Sequence, residues 1–203
     1  ELPFWALTVY FFWKSINVKK INHWILLGFF AGLGVLSHYT FLYLVLAIAL
    51  YSLFLLLNKK INFTCLIAFV PFFIILSPHI NWLVDNNYTT LTYAFQRTGI
   101  SETSISNHIT QPIIFIGKQL GILIPFLLML FTIISKIKFN PNIKDNKLLF
   151  LFAINILPIF FMVLTSFILG IKIRTMWMTP FYLFFGVLFL YLYQKKINKK
   201  KFK

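Results

Sequence analysis

Residues 24–57 read WILLGFFAGLGVLSHYTFLYLVLAIALYSLFLLL, an apolar run without Asp, Glu, Lys or Arg. At about 1.5 Å per residue, one helix of this length would far exceed the roughly 30 Å core of a bilayer. The short break Ser37-His38-Tyr39-Thr40 lies near the middle of the run, where a turn would leave two helices of about spanning length. The run therefore predicts a tight helical hairpin that crosses a membrane twice.

The composition of the whole chain extends this prediction to all 203 residues. Hydrophobic residues make up 60% and charged residues 11%, whereas soluble domains carry about 25% charged residues. The net charge of +15 comes in short clusters between apolar runs, which indicates membrane topology rather than a nucleic-acid surface. Cys65 is the single cysteine and lies within an apolar run, which excludes an internal disulfide and a cysteine-based metal site.

The apolar runs predict an all-α integral membrane protein with one transmembrane domain over residues 1–203. A helix that spans a bilayer needs about 20 apolar residues. The chain starts at Glu1 without a methionine and passes directly into an apolar run, so we expect the domain to be incomplete at its N-terminus. Seven spans are predicted, at residues 2–16, 23–37, 40–57, 62–83, 112–135, 148–169 and 175–194.

Basic residues segregate between the two sides when these spans alternate. Arg97, Lys118, Lys172 and Arg174 fall on one side, and the other fifteen of the 19 lysines and arginines fall on the opposite side. Cytoplasmic loops are enriched in basic residues, so the side with fifteen is the cytoplasm. We therefore expect the basic tail, residues 195–203, to be cytoplasmic.

The longest polar stretch, residues 84–111, falls on the outer side. Val84, Tyr88, Leu91 and Phe95 recur there at helical spacing. This predicts a short amphipathic helix that begins at Val84 and lies on the outer membrane surface. The alternative for so short a window is an ordinary surface loop with a few aromatic residues.

Three outer basic residues, Arg97, Lys118 and Arg174, are predicted to bind a lipid-linked phosphate. Basic residues are disfavoured on the outer side, so those present are candidates for a task. Arginine gives a phosphate bidentate contacts, and lysine gives it a point charge. For Lys118, six residues inside a predicted span, the alternative is a side chain that extends outward to the interface without a functional role.

Acidic and histidine side chains also gather on the outer side. Glu1, Asp85 and Glu102 are weak candidates for a catalytic base. No two histidines have ligand spacing on one helix, so no metal site and no cofactor is predicted, although the sequence leaves a divalent metal open. We expect an outer-face cavity lined by His38, Tyr39, His79, Trp82, Gln96 and Trp177.

Two G-x-x-x-G spacings occur in the predicted spans. Gly28 is followed by Gly32, and Gly117 is followed by Gly121. Such spacing predicts close helix packing rather than chemistry. The sequence contains no nucleotide-binding loop, nucleophile elbow or H-E-x-x-H motif.

Three segments resemble motifs of glycosyltransferase family 39, the bacterial relatives of protein O-mannosyltransferases and of lipid A aminoarabinose transferases. WILLGFFAGLGVLSHYT at residues 24–40 resembles the helix W-x-x-x-G-x-x-x-G-L-G-x-L-[ST]-K-Y-T of that family. SPHINW at 77–82, with FQR at 95–97, is similar to its outer segment P-x-x-x-W-N followed by F-Q-x-x-R. RTMW at 174–177, with Pro180, resembles its late motif R-x-x-W-x-x-P.

The resemblance implies a GT-C fold, a bundle of membrane helices with a catalytic site at the outer face. It implies a polyprenyl-phosphate sugar as donor, an outer-loop carboxylate as base, and basic residues that neutralise the departing phosphate. The principal catalytic aspartate of the family belongs to a first outer loop, which we expect to lie upstream of Glu1. His38 stands where the family has lysine, and a neutral imidazole would not replace a permanent cation.

These expectations lead to a glycosyltransferase that moves a sugar from a polyprenyl-phosphate carrier to an envelope lipid or glycan at the outer face of a bacterial inner membrane. Its partners would be membrane lipids, the donor and the acceptor, without nucleic acid. One alternative is a transporter or lipid-glycan flippase, which should place polar segments near mid-membrane and show paired repeats. Another is a different GT-C enzyme, such as an O-antigen ligase or polymerase.

Overall fold

All regular structure is helical in the part of the chain that the computed structural model describes, residues 1–99, 104–133 and 145–193. The α-helices are α1 (Leu2–Val18), α2 (Ile21–Ser37), α3 (Leu42–Leu57), α4 (Phe69–Asp85), α5 (Thr89–Thr98), α6 (Asn107–Ile133), α7 (Asn146–Leu169) and α8 (Phe185–Tyr193). Three 3₁₀ segments, Tyr39–Phe41, Phe63–Ala68 and Thr175–Tyr182, precede α3, α4 and α8.

Within the described residues, four helical stretches are long and apolar enough to cross a membrane: Tyr39–Leu57, Phe63–Asp85, Asn107–Thr132 and Asn146–Leu169. The Thr175–Tyr182 segment and α8 make a fifth if the pair, bent by 48°, counts as one broken span. Helices α1 and α2 have 17 residues each, close to the lower limit for a span. The all-α character is therefore confirmed, with four or five described stretches able to span a membrane, whereas the number seven stays a prediction.

The predicted turn between residues 37 and 40 is present, but the tight hairpin is wrong. Helix α2 ends at Ser37, His38 is extended (φ −167°, ψ 133°), and the chain turns through Tyr39–Phe41 into α3. Instead of pairing along their length, α2 packs against α1 and α4, and α3 packs against α7. An apolar groove lined by residues such as Leu27, Ile48 and Leu53 separates α2 from α3.

Two glycines allow α2 to pack closely against α4 and the 3₁₀ segment before it. This contact explains why α2 does not pack along α3. A Cβ atom at Gly28 would overlap the carbonyl oxygen of Ala68, and one at Gly32 would lie 3.1 Å from Ile75. The first G-x-x-x-G prediction is confirmed, because only glycine allows this backbone approach. The second is not: a Cβ at Gly117 or Gly121 would meet no atom within 4 Å among the described residues.

The predicted amphipathic helix does not begin at Val84. Helix α4 continues to Asp85, and Asn87 and Tyr88 adopt left-handed backbone conformations (φ 51° and 55°) that break the helical register before α5. Tyr88 and Phe95 are 49% and 47% exposed, so they do not pack against the bundle, and an apolar face towards lipid stays a prediction. The side of α5 that faces the bundle instead carries Thr90, Leu91, Ala94 and Thr98.

Loops and helix ends contact one another at both ends of the bundle. At one end, the Lys172 amide donates to the Thr98 carbonyl (3.1 Å), and His108 Nδ1 lies 2.9 Å from the Phe167 carbonyl oxygen. At the other, Lys60 Nζ donates to Asn146 Oδ1 (2.7 Å). The first end holds the residues assigned to the outer side from the sequence, and we call it the polar end.

Candidate functional site

An aromatic cluster fixes the backbone beneath the polar end. Trp5, Phe41 and Phe181 are almost fully buried, and the Trp5 ring lies 5.3 Å from that of Phe41 and 4.9 Å from that of Phe181. These contacts join α1, the turn before α3 and the Thr175–Tyr182 segment. The first residue of α1 and the 37–40 turn are thereby held close together.

Glu1, Thr40 and His38 form a hydrogen-bonded chain at this junction. The Thr40 hydroxyl oxygen lies 3.3 Å from Glu1 Oε1 and 2.7 Å from His38 Nδ1. The Thr40 amide is also 3.3 Å from His38 Nδ1, so the imidazole caps the 3₁₀ turn. Burial raises the pKa of the Glu1 carboxyl above its usual range, while nearby His38 and the Thr40 hydroxyl oppose that rise.

Tyr39 connects α4 and α5 to the same turn. Its hydroxyl lies 2.8 Å from His79 Nε2 and 2.8 Å from the Thr90 hydroxyl. The His79 ring stacks on Trp82 with an interplanar angle of 11° and a centroid distance of 6.0 Å. Tyr39, His79 and Trp82, three residues predicted to line an outer-face cavity, thus contact one another in series, and Tyr39 also contacts Thr90.

Trp177 lies beside His38 at the polar end. Its ring centroid lies 6.0 Å from that of His38, on the segment that begins after Arg174. Gln96, which we also expected to line the cavity, is exposed on α5, and no hydrogen bond joins it to the network within the described chain. The structure therefore brings His38, Tyr39, His79, Trp82 and Trp177 together.

The three basic residues proposed for phosphate are not joined by any contact between described residues. Arg97 is exposed, stacks over the Tyr93 ring at 5.6 Å and donates to its hydroxyl. Lys118 is exposed on α6, eleven residues after Asn107 or about 16 Å along the helix. Arg174 is half-buried at the start of Thr175–Tyr182. Their shared cavity stays a prediction.

The three acidic candidates for a catalytic base differ in where they lie. Glu1 belongs to the network, Asp85 is exposed at the last residue of α4, and Glu102 lies outside the described residues. Within residues 1–99, 104–133 and 145–193, no three His, Cys, Asp or Glu side chains are grouped so that they could hold a metal ion.

Sequence reasoning missed Thr40 and Thr90, the hydroxyls that complete the two halves of the network. Thr40 is part of the quoted S-H-Y-T turn, so its position in the motif was a usable signal. Thr90 carried no such signal, because its partner Tyr39 is 51 residues away in the chain.

Comparison with known proteins finds a family match over the first part of the chain. The family model of the dolichyl-phosphate-mannose-protein mannosyltransferases matches residues 1–82. No curated protein and no solved structure gives a significant match. The matched segment includes Glu1, the 37–40 turn, His79 and Trp82. The resemblance inferred from the motifs is therefore confirmed over residues 1–82, which match a family of membrane glycosyltransferases.

Proposed function

We propose that this chain belongs to a glycosyltransferase that moves a sugar from a polyprenyl-phosphate donor to a lipid or glycan acceptor at the outer face of a bacterial inner membrane. One observation carries the proposal. Two hydrogen-bonded groups, Glu1–Thr40–His38 and Tyr39–His79–Thr90, lie at the polar end, and all of these residues except Thr90 fall within the family-matched segment. Polar side chains concentrated at one membrane face suit chemistry on a headgroup better than passage across the membrane.

The proposal includes an orientation. We place the polar end outside, because the segregation of lysine and arginine puts the opposite end in the cytoplasm. Helices α1 and α2 then count as short spans and α8 with its preceding segment as a broken one, which gives seven. Helix α5 would lie at the outer headgroup level. The basic tail at residues 195–203 falls outside the described residues and would be cytoplasmic.

Donor recognition is the second part of the proposal. When the sugar leaves, negative charge grows on the phosphate oxygen, and fixed cations near that oxygen lower the barrier. Arg97, Lys118 and Arg174 are the basic residues that the predicted topology places nearest to that level. Arg174 has further support, because it precedes Trp177, whose ring flanks His38. No resident cofactor is part of the proposal.

The test is Arg97→Gln, Lys118→Gln and Arg174→Gln in the full-length protein in proteoliposomes, with a polyprenyl-phosphate sugar supplied as donor. One charge-assisted contact contributes about 1.5–3 kcal/mol, so each loss should slow transfer roughly ten- to a hundredfold. Lys20→Gln is the matched control, because Lys20 is an exposed lysine at the opposite end of the bundle. It should transfer at the wild-type rate.

Membrane insertion and expression should be equal for all variants, because none of the three side chains is fully buried. If Lys118→Gln alone transfers normally, the Lys118 side chain extends outward to the interface and does not bind the phosphate. Full activity of all three variants would place the phosphate elsewhere and remove this part of the proposal. A wild-type protein that transfers no sugar from any polyprenyl-phosphate donor would contradict the function itself.

A further inference from the structure

We propose that a groove between α3 and α7 binds an anionic phospholipid, with an acyl chain along the groove and the phosphate at Lys60. The groove lies at the end of the bundle opposite the polar end, so this lipid site is separate from the proposed transfer site. With the orientation proposed above, it would face the cytoplasmic leaflet. Binding there would not require glycosyl transfer.

The groove follows the last turns of α3 and the first turns of α7. Its floor is formed by the buried residues Tyr51 and Ala153, whereas Leu53 and Ile156 are 50% and 41% exposed, so the groove opens towards the lipid. Its volume of about 480 Å³ lies within the range of roughly 300–1,000 Å³ that is usual for ligand sites. Along α7 it covers residues 149–157, about 12 Å at helical rise.

The lining of the groove suits a hydrocarbon chain. Its side chains are apolar except for the Tyr51 hydroxyl, and that hydroxyl donates to the Asn146 carbonyl at 3.4 Å. The lining side chains therefore offer no free hydrogen-bonding group to a polar ligand. An acyl chain covers such a surface without leaving a polar group unpaired.

Lys60 is held at the end of this groove by two contacts. Its Nζ donates to Asn146 Oδ1 at 2.7 Å and lies 5.9 Å from the centre of the Phe54 ring, which lines the groove. An ammonium group has three protons to donate, so two remain after the bond to Asn146. The Lys60 charge thus lies where the headgroup of a lipid in the groove would be.

Asn146 provides a second donor beside Lys60. Its Oδ1 accepts from Lys60, and no hydrogen bond from its Nδ2 occurs in the described part of the chain. The side-chain amide therefore keeps two protons for a phosphate oxygen. Asn146 is also the first residue of α7, where the helix dipole favours a negative charge.

The position of Asp145 distinguishes this groove from the one between α1, α7 and α8. Lys147 and Tyr191 line that second groove, but the Tyr191 hydroxyl donates to the Asp145 carboxylate, which offsets the lysine charge there. Lys60 instead contacts an uncharged amide and an aromatic ring, so its charge stays available. Basic pockets between membrane helices on the cytoplasmic side bind anionic headgroups in other proteins.

The experiment measures which lipid the purified full-length protein retains in detergent. Phosphatidylglycerol and phosphatidylcholine with the same acyl chains are added in equal amounts, and native mass spectrometry counts the bound molecules. We expect phosphatidylglycerol to be retained in preference. Lys60→Gln should weaken its binding by about tenfold, because a charge-assisted contact is lost, whereas Lys60→Arg should preserve it.

Two matched controls separate the groove from its surroundings. Lys20→Gln removes an exposed lysine at the same end of the bundle, before α2, and should retain phosphatidylglycerol as the wild type does. Phe54→Ala removes a groove wall and the ring beneath Lys60, so it should weaken binding. Phe73→Ala removes a similarly exposed ring from α4 and should not.

Thermal unfolding gives a second readout, because a ligand that binds the folded state raises the unfolding temperature. Phosphatidylglycerol should stabilise the wild type and Lys20→Gln more than Lys60→Gln. An equal shift in all three would overturn the site, since the lysines at this end would then act only through their summed charge.

Three other results would also refute the proposal. They are equal retention of the two lipids by the wild type, equal loss in Lys60→Gln and Lys20→Gln, and binding of glycerol 3-phosphate as tight as that of phosphatidylglycerol. The last would show an anion site that does not use the groove. Sugar transfer is not measured in any of these assays, so their failure would leave the proposed function standing.

Discussion

Replacing Gly28 with alanine tests whether the close approach of α2 to Ala68 holds the bundle together. The added Cβ would overlap the Ala68 carbonyl oxygen and come 2.9 Å from the Pro71 ring. Overpacking costs typically about 1–3 kcal/mol, and a backbone carbonyl cannot rotate away, so we take about 3 kcal/mol. Alanine is better than glycine within a helix by about 1 kcal/mol. The net loss of stability should be about 2 kcal/mol.

Gly117→Ala is the control, because it changes the same residue type within the second G-x-x-x-G spacing. A Cβ at Gly117 meets no described atom within 4 Å, so only the helix preference remains, a gain of about 1 kcal/mol. The two variants should therefore differ by about 3 kcal/mol. The assay is reversible unfolding of the purified full-length protein in mixed micelles. Equal stability of Gly28→Ala and Gly117→Ala would refute the argument that Gly28 is required by contact.

Two further predictions concern the orientation of the chain in the membrane and the docking of α5 at the polar end. Single cysteines placed at residues 195–203 or 136–147 should resist an impermeant thiol reagent added to intact cells, whereas cysteines at 101–107 should react. Labelling of the tail from outside would invert the proposed orientation. Tyr39→Phe removes the hydroxyl that joins His79 to Thr90 and should weaken the docking of α5 by roughly 1–3 kcal/mol, seen as faster amide exchange across Thr89–Thr98. Tyr93→Phe, which loses only a contact to Arg97 within α5, should exchange at the wild-type rate, and equal exchange in both variants would contradict the tether.

The candidate site could be predicted in part. His38, Tyr39, His79, Trp82 and Trp177 were predicted to share the outer face because span alternation assigns each of them to one side. Alternation says nothing about distance within that side, so it could not separate these clustered residues from the exposed Gln96. Thr40 contacts Glu1 across 39 positions of the chain, a distance over which no local pattern operates.

The ends of α5 show a different limit. Val84, Tyr88, Leu91 and Phe95 have a helical period, and the period alone predicts a continuous helix. The left-handed conformations of Asn87 and Tyr88 break that continuity. The hydrogen bond between Thr90 and Tyr39 determines which side of α5 packs against the bundle. The helical period does not encode that contact.

By itself the sequence determined the class of the protein, an all-helical chain for a lipid environment, and the place where the run at 24–57 turns. Both follow from local properties, since apolar length must match the bilayer and polar residues must leave it. Only the tertiary structure decided which helices are neighbours: α2 with α1 and α4, and α3 with α7. In lipid, the hydrophobic effect does not favour one apolar partner over another, so helix neighbours are selected by van der Waals packing, close backbone approach and polar contacts. The contacts of Gly28 with Ala68 and of Thr40 with Glu1 join residues that are 40 and 39 positions apart in the chain.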